Sequence, residues 1–158
     1  MNDLFFQDEN RIYNINLKQE AYDQMIFHCN ESHPYETGGI LIGSYSVDQT
    51  TANILKITPP PKNSKLEKCR FYRSSKGLKK ILDEAWDQGQ YYLGEWHYHP
   101  NAFSLPSVTD KKQMINLSQS KQLKCPEPIL IIIGGYKNNW NVNVHLYVNN
   151  QEIKMNKQ

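Results

Sequence analysis

Two histidines, a serine and an aspartate lie close together in one short stretch, GEWHYHPNAFSLPSVTD, residues 94–110. They are His97, His99, Ser107 and Asp110. Imidazole nitrogens and carboxylate oxygens are among the ligands that zinc takes in proteins. Because successive side chains of a strand alternate between its two faces, His97 and His99 would project to the same side and could reach one ion. The stretch therefore predicts a metal site.

The residues after the histidines explain how a third ligand could return to them. Pro100 would end the strand, because proline cannot donate to the ladder. The loop 101–106 leads to Ser107 and Asp110, which fit the S-x-x-D pattern of a helix N-cap. Two imidazoles and one carboxylate would leave zinc a fourth position for water, as in catalytic sites. Zinc lowers the pKa of bound water to about 7, so hydroxide would be available at neutral pH.

The same residues also allow interpretations without hydrolysis. A His-x-His pair on a strand is common, and S-x-x-D can cap a helix without any chemistry. A binding module that keeps zinc only for its shape is one alternative, and it would require a fourth protein ligand. A non-haem iron oxygenase is another, because two histidines and a carboxylate also form a facial triad. We expect such oxygenase sites in all-β double-sheet folds, whereas this sequence predicts at least three helices.

A zinc hydrolase also needs a side chain that moves protons, and Glu36 is the best candidate. It lies in HPYETGGILIG, at the start of a strand that is expected to be buried. Glu95 shares a strand face with the two histidines and could crowd the ion. Four further side chains are not expected to act at the site: Glu31 and His33, solvated in a polar turn, His28 on the inward face of the first helix, and His145 on the polar face of the last strand.

The elements that must position these residues alternate along the chain. Period-two or continuous apolar patterns predict strands, and 3.6-residue patterns predict helices. The predicted strands are RIYNINL (11–17), a hairpin of 37–46 with 51–57, then 91–99, 129–135 and 140–148. The predicted helices run from Leu17 to before Pro34, over 78–86, and from Ser107 to about Leu123. This order predicts an α/β domain with a mixed sheet.

Composition narrows the class of partner and the compartment. The net charge is only +2, from 18 basic and 16 acidic residues, which argues against nucleic acid or an anionic membrane as partner. The three cysteines, Cys29, Cys69 and Cys125, form no Cys-x-x-Cys motif and do not suggest a disulfide framework. The N-terminus lacks the pattern of a signal peptide. We therefore expect a soluble cytoplasmic protein.

Two motifs of the sequence resemble a known family. HYHPNAFSLPSVTD has the pattern His-x-His-Pro-x6-Ser-x-x-Asp, which is similar to the JAMM motif of the JAB/MPN metalloproteases. ETGGILIG is similar to the upstream Glu-x-x-Gly-x-Leu-x-Gly strand of the same family. The resemblance runs over about residues 10–148. It implies one JAB/MPN metalloprotease domain over residues 1–158, with a mixed curved β-sheet, about three helices and a cytidine deaminase-like architecture.

The resemblance implies a role for each site residue. His97, His99 and Asp110 would hold Zn²⁺ with a water as fourth ligand. Glu36 would take the proton of that water and return it to the leaving amine. Ser107 would donate a hydrogen bond to the developing oxyanion.

The resemblance also implies a substrate class. GEWHYHPN…PS is most similar to small bacterial JAB proteins encoded with E1- and E2-like enzymes, including those of CBASS antiphage operons. It implies an isopeptidase that removes a conjugate from a CD-NTase or cleaves after a ubiquitin-like C-terminus, with an E1/E2-like fusion protein in the same pathway. Another bacterial ubiquitin-like pathway is the alternative. The substrate chain would lie beside the loop from Pro59 to Ser75 as an added strand.

Overall fold

Eight strands and three helices make up the part of the chain that the computed structural model describes, residues 2–59 and 75–158. The strands are β1 (Leu4–Gln7), β2 (Asn14–Leu17), β3 (Thr37–Tyr45), β4 (Thr51–Ile57), β5 (Tyr91–Pro100), β6 (Ile129–Tyr136), β7 (Asn139–Val148) and β8 (Gln151–Lys157). The helices are α1 (Gln19–Ser32), α2 (Ser75–Asp87) and α3 (Val108–Ser118). The predicted α/β class with three helices is confirmed. Within these ranges, no helix has both the length and the apolar character needed to span a membrane.

The strands close into a barrel in the order β1, β2, β4, β3, β5, β6, β7, β8. The pairs β2–β4 and β5–β6 are parallel, and the other neighbours are antiparallel. Closure comes from β1 and β8, where Phe6 pairs with Lys157. The predicted mixed sheet is thus confirmed, whereas the expected curved sheet is instead a closed barrel, because two strands that the sequence pattern missed join its ends.

The two closing strands lack the alternation that reveals a strand in a sequence. Phe6 is the only buried residue of β1, and Met155 is the only one of β8. A strand that places one side chain in the core has no apolar face long enough to show period two. The sequence pattern therefore predicts the strand over 140–148 as the last, although β8 follows it.

Strand β6 separates two cores, because both of its faces are buried. One face joins the larger core, into which α1 also packs: Ile129, Ile131, Ile133, Ala21, Met25 and Cys29. The other face joins a smaller core with α3: Leu130, Ile132, Met114 and Leu117. Since β6 pairs with β5, this packing holds α3 against the strand pair that carries the histidines.

Helix α3 is shorter than predicted. It was expected to run to about Leu123, but it ends at Ser118, and turns follow as far as Lys124. Leu117 is the last buried residue of the helix. Lys124 has a φ of 51°, a left-handed conformation that no α-helix can contain. The apolar stripe therefore ends with Leu117, and the helix ends with it.

Candidate active site

Strand β5 is held by neighbours on both sides. It pairs antiparallel with β3 and parallel with β6. His97 and His99 lie on one of its faces, and the fully buried Tyr98 lies on the other. His97 is only 5% exposed. A strand that is paired on both edges keeps the directions of these side chains fixed.

The start of α3 brings a carboxylate to the two imidazoles. Ser107 Oγ accepts a hydrogen bond from the backbone N–H of Asp110 at 3.0 Å, and the backbone N–H of Ser107 donates to Asp110 Oδ2 at 2.8 Å. This capping box fixes the fully buried Asp110 side chain. Asp110 Oδ1 lies 3.2 Å from His97 Nδ1, and Asp110 Oδ2 lies 3.5 Å from His99 Nε2. The predicted helix cap is thus formed, and Asp110 belongs both to this cap and to the predicted set of metal ligands.

The three side chains form a group that could hold a metal ion. Among the described residues, His97, His99 and Asp110 each offer one ligand atom, and these atoms lie within 4.8 Å of one another. The buried Nε2 of His99 forms no hydrogen bond in the part of the chain that the structure describes. A buried ring nitrogen that lies beside another candidate ligand and forms no hydrogen bond suits coordination, because a cation can take its lone pair. The donor set fits a divalent transition metal, and it leaves coordination positions for other ligands.

These groups also change one another's protonation. Burial alone lowers the pKa of His97, but its contacts with Asp110 and Glu95 outweigh burial and raise the pKa to about 9. Burial raises the pKa of Asp110, but the contacts with His97 and His99 outweigh it and hold the pKa well below its usual range. Asp110 is therefore ionised at neutral pH. A cation bound between these groups would displace the proton of His97.

Glu95 lies beside His97 but outside the three-residue group. Its Oε2 is 3.5 Å from His97 Nε2, whereas Asp110 lies next to Nδ1 of the same ring. The carboxylate is fully buried and accepts a hydrogen bond from the hydroxyl of Tyr92 at 3.2 Å. Glu95 shares the strand face with the histidines, as expected. It lies beside Nε2 of His97.

Glu36 immediately precedes β3, across from the end of β5. Thr37 pairs with Tyr98, and Gly38 pairs with His97. The same register, continued by one residue, places Glu36 opposite His99. Residues directly opposite each other on antiparallel strands share a face of the sheet. The partly buried Glu36 is therefore on the side of the sheet that carries the two imidazoles.

The turn that carries Glu36 is attached to the barrel through His33. The hydroxyl of Tyr98 donates to the carbonyl oxygen of Gly135 at 2.8 Å and forms a second hydrogen bond with His33 Nδ1 at 2.9 Å. Because a phenol has one hydrogen, His33 Nδ1 is the donor in that second bond. The ring of His33 also stacks on Tyr136. The expectation that His33 is solvated is wrong, because its partners lie more than sixty residues away in the sequence.

The loop between His99 and Ser107 is anchored to β7 by hydrogen bonds and exposes apolar side chains to solvent. The backbone N–H of the buried Ser104 donates to Asn141 Oδ1 at 2.7 Å, and Asn143 Nδ2 donates to Ser104 Oγ at 2.7 Å. Phe103 and Leu105, on either side of Ser104, are 81% and 61% exposed. The two asparagines are not among the site residues predicted from the sequence. They alternate with the valines of β7 and so lie on the opposite side of that strand, and this alternation is the sequence pattern that could have indicated them.

Two further histidines lie outside the group formed by His97, His99 and Asp110. His28 lies partly buried on α1, near the ring of Trp96. The pattern predicts His145 on a polar strand face, but it is buried, because α3 packs on that face of the sheet. Its Nδ1 lies 3.0 Å from Glu152 Oε1. This pair forms a histidine–carboxylate contact outside the metal-ligand group.

The suspected substrate-binding loop falls almost wholly outside the described residues. Pro59 is exposed after β4, and Ser75 is the first residue of α2. The residues between them, including Cys69, are not among those described. The role of this loop stays a prediction.

Comparisons with known proteins agree with the geometry of the site. Residues 18–146 match a family model described as prokaryotic homologs of the JAB domain. A CD-NTase/cGAS isopeptidase of Enterobacter hormaechei is 39% identical to this chain over 84% of its length and 74% of the relative. A probable metalloprotease, y4qB, of Sinorhizobium fredii is 27% identical over 78% of this chain and 77% of that protein.

A solved structure shares the fold. The solution structure of protein DSY2949 from Desulfitobacterium hafniense matches 90% of this chain and 90% of its own, with a TM-score of 0.67 and 19% sequence identity. That identity supports a likeness of fold alone. The family model, by contrast, spans most of the chain, and the similarity to the Enterobacter protein extends over most of both sequences. The chain therefore belongs to the family of prokaryotic homologs of the JAB domain.

Proposed function

We propose that this protein is a zinc-dependent isopeptidase that removes protein conjugates made by a bacterial E1/E2-like system. The observation that carries the proposal is the group formed by His97, His99 and Asp110. Strand register supports the assignment of Glu36 to the same face of the sheet. The names of four relatives, each a CD-NTase/cGAS isopeptidase, support a CD-NTase conjugate as substrate. We assign the reaction to CBASS-type antiphage defence in the cytoplasm. The buried thiols of Cys29 and Cys125 form no disulfide among the described residues, which is in keeping with a reducing compartment.

In this proposal, the three clustered side chains hold the metal. The fixed strand and the capping box preorganise His97, His99 and Asp110, so that little rearrangement accompanies metal binding. Zinc held there would supply Lewis acidity, which would lower the pKa of water to about 7 and polarise a carbonyl group. The ionised Asp110 offsets part of the charge of the cation.

Glu36 transfers the proton, and Ser107 stabilises the negative charge that develops on the substrate. Glu36 accepts the proton of the attacking water and returns it to the leaving amine, a role that requires a carboxylate on the same face as the metal ligands. Ser107 uses its oxygen to accept the N–H of Asp110. A hydroxyl that accepts one hydrogen bond can donate another, and the Ser107 hydroxyl donates to the oxyanion.

The surface beside this site suits a protein substrate. Phe103, Leu105 and Val108 are exposed apolar side chains between His99 and the first turn of α3. Apolar groups that are exposed together on one segment are typical of protein-binding surfaces. The anchored loop 101–106 presents them next to the metal ligands. We propose that they contact the substrate protein close to the scissile bond.

Incubation of the purified protein with its cognate conjugate tests the proposal. Chelator should abolish cleavage, and added zinc should restore it. Glu36→Gln should lower kcat by about 10²–10⁴-fold while one zinc per chain remains bound. Glu31→Gln, an exposed glutamate of α1, is the matched control and should cleave like wild type.

Two results would contradict the proposal. Cleavage by Glu36→Gln at the wild-type rate would exclude the assigned proton transfer. Iron instead of zinc after anaerobic purification would favour the oxygenase alternative, which uses the same donor set. A zinc-loaded protein that cleaves no conjugate would favour a binding module.

A further inference from the structure

We infer that Glu95 is a positioning residue of the metal centre: its carboxylate accepts a hydrogen bond from Nε2–H of His97 and so presents Nδ1 of that ring to the metal. The inference deepens the proposed function and rests on it, because it takes His97 as a metal ligand. It does not require any particular substrate.

The two nitrogens of His97 face different carboxylates. Nδ1 lies 3.2 Å from Oδ1 of Asp110, which belongs to the candidate ligand group. Nε2 lies 3.5 Å from Glu95 Oε2. A neutral imidazole carries one hydrogen, so the nitrogen that binds a metal leaves the hydrogen on the other. The arrangement therefore assigns Nδ1 to the metal and the hydrogen to Nε2.

The contact between Glu95 and His97 is close to a hydrogen bond. Nε2 of His97 is buried and forms no hydrogen bond within the described chain. A hydrogen bond of this type needs about 2.7–3.2 Å between heavy atoms, so a shift of a few tenths of an ångström would form it. Carboxylates commonly accept the remaining N–H of a histidine that binds a metal, which fixes its tautomer and ring orientation.

The fold holds Glu95 in place for this task. It lies in the middle of β5, where it pairs with Ile40 on one side and with Leu130 on the other. The hydroxyl of Tyr92 donates to its second oxygen, Oε1. Burying a carboxylate costs free energy that an apolar residue at the same position would not. Glu95 nevertheless stands, fully buried, two residues before a ligand and on the same face of the strand.

Zinc affinity measures this role without any substrate. Competition with a chromogenic chelator should give a zinc Kd for Glu95→Gln that is about tenfold higher than that of wild type, because an amide oxygen accepts a hydrogen bond less strongly. Glu95→Leu should raise the Kd by about a hundredfold. The matched control is Glu152→Gln, which alters the contact of Glu152 with His145, outside the metal-ligand group, and should leave the Kd unchanged.

Nuclear magnetic resonance of the wild-type protein gives a second readout that needs no variant to fold. Long-range ¹H–¹⁵N spectra of the zinc-loaded protein should show His97 with its hydrogen on Nε2. A hydrogen on Nδ1, or an unchanged Kd in both Glu95 variants, would overturn the inference while leaving the isopeptidase proposal intact. A wild-type protein that binds no zinc would overturn both. Zinc binding without cleavage would contradict the proposed function alone.

Discussion

The imidazole of His33 stacks on the phenol ring of Tyr136, with ring centroids 3.4 Å apart and ring planes inclined by 8°. Tyr136 ends β6, which pairs with the strand that carries the histidines. His33 lies three residues before Glu36 in the turn that leads into β3. The stack therefore ties the proposed general base to the strand pair that carries the metal site.

His33→Ala should lower kcat by about ten- to a hundredfold, because a small displacement of a catalytic group is costly to the rate. Zinc affinity should stay unchanged, since the ring of His33 contacts Tyr98 and Tyr136, which are not among the three ligands. Steady-state kinetics and chelator competition measure the two effects separately. His28→Ala, a partly buried histidine of α1 with its own aromatic neighbours, is the control. An unchanged kcat in His33→Ala would show that the turn is held by other contacts.

Ser107 has two roles that substitution can separate. Ser107→Ala removes the helix cap and the hydroxyl, and should lower the free energy of unfolding by about 1 kcal/mol. Ser107→Gly should lower the free energy of unfolding by only about a few tenths of a kcal/mol, because glycine is tolerated at an N-cap. Both should lower kcat by about 10²–10³-fold if the hydroxyl donates to the oxyanion. Denaturation and kinetics measured together decide the matter, and a glycine variant with wild-type kcat would leave Ser107 with its cap alone.

The apolar loop beside the site should govern substrate affinity. Phe103→Ser should raise KM by about tenfold, equivalent to about 1.4 kcal/mol, which is a modest part of what a buried aromatic side chain contributes. The zinc content should be unchanged, because Ser104 anchors the loop independently. Val47→Ser, in the turn between β3 and β4, replaces another fully exposed apolar residue and serves as control. Equal KM values for both variants would mean that the substrate docks elsewhere.

The buried His145 should make the protein less stable in mild acid. Burial is the main cause that lowers its pKa, with Lys111 and Lys154 adding to it, and the nearby Glu152 opposes them only in part. Glu152 is partly exposed and also pairs with Lys111, so burial dominates. The folded pKa is then below the ordinary value of 6.5, and the unfolded chain binds more protons in this range. The stability that the neutral His145 contributes to the fold is fully present above pH 6.5 and is lost as the pH falls through the folded pKa.

Thermal denaturation of wild type and His145→Gln tests this sign. The loss of Tm between pH 7.5 and pH 5 should be smaller in the variant, and other titrating groups cancel in the comparison. A larger loss in the variant would mean that Glu152 stabilises a charged His145.

Much of the site was predictable because its determinants are local. The two-residue period of a strand aligns His97 and His99, and the S-x-x-D cap brings back Asp110. Both depend on residues within one short stretch. The same holds for the hairpin of β3 and β4 and for the two buried faces of β6, where apolar runs mark the strands directly.

The parts that were not predictable depend on distant contacts. His33 finds Tyr98 and Tyr136 only after the barrel has formed, so its own neighbours in the sequence suggested a solvated turn. Glu95 could be placed on the correct face of β5, but not on the correct side of His97, because the direction of Asp110 depends on how α3 packs. Closure of the sheet was missed for the same reason, since β1 and β8 each bury one side chain.

The pairing of β1 with β8 has a consequence for the order of events during synthesis. Phe6 can pair with Lys157 only after Lys157 has been synthesised, so the barrel cannot close until almost all of these residues have been made. Contacts between residues so far apart in sequence slow folding, and unpaired strands are exposed in the meantime. The histidine strand needs β6, which is also synthesised later. We therefore expect the nascent chain to acquire its metal only late in translation, after β6 and α3 have joined β5.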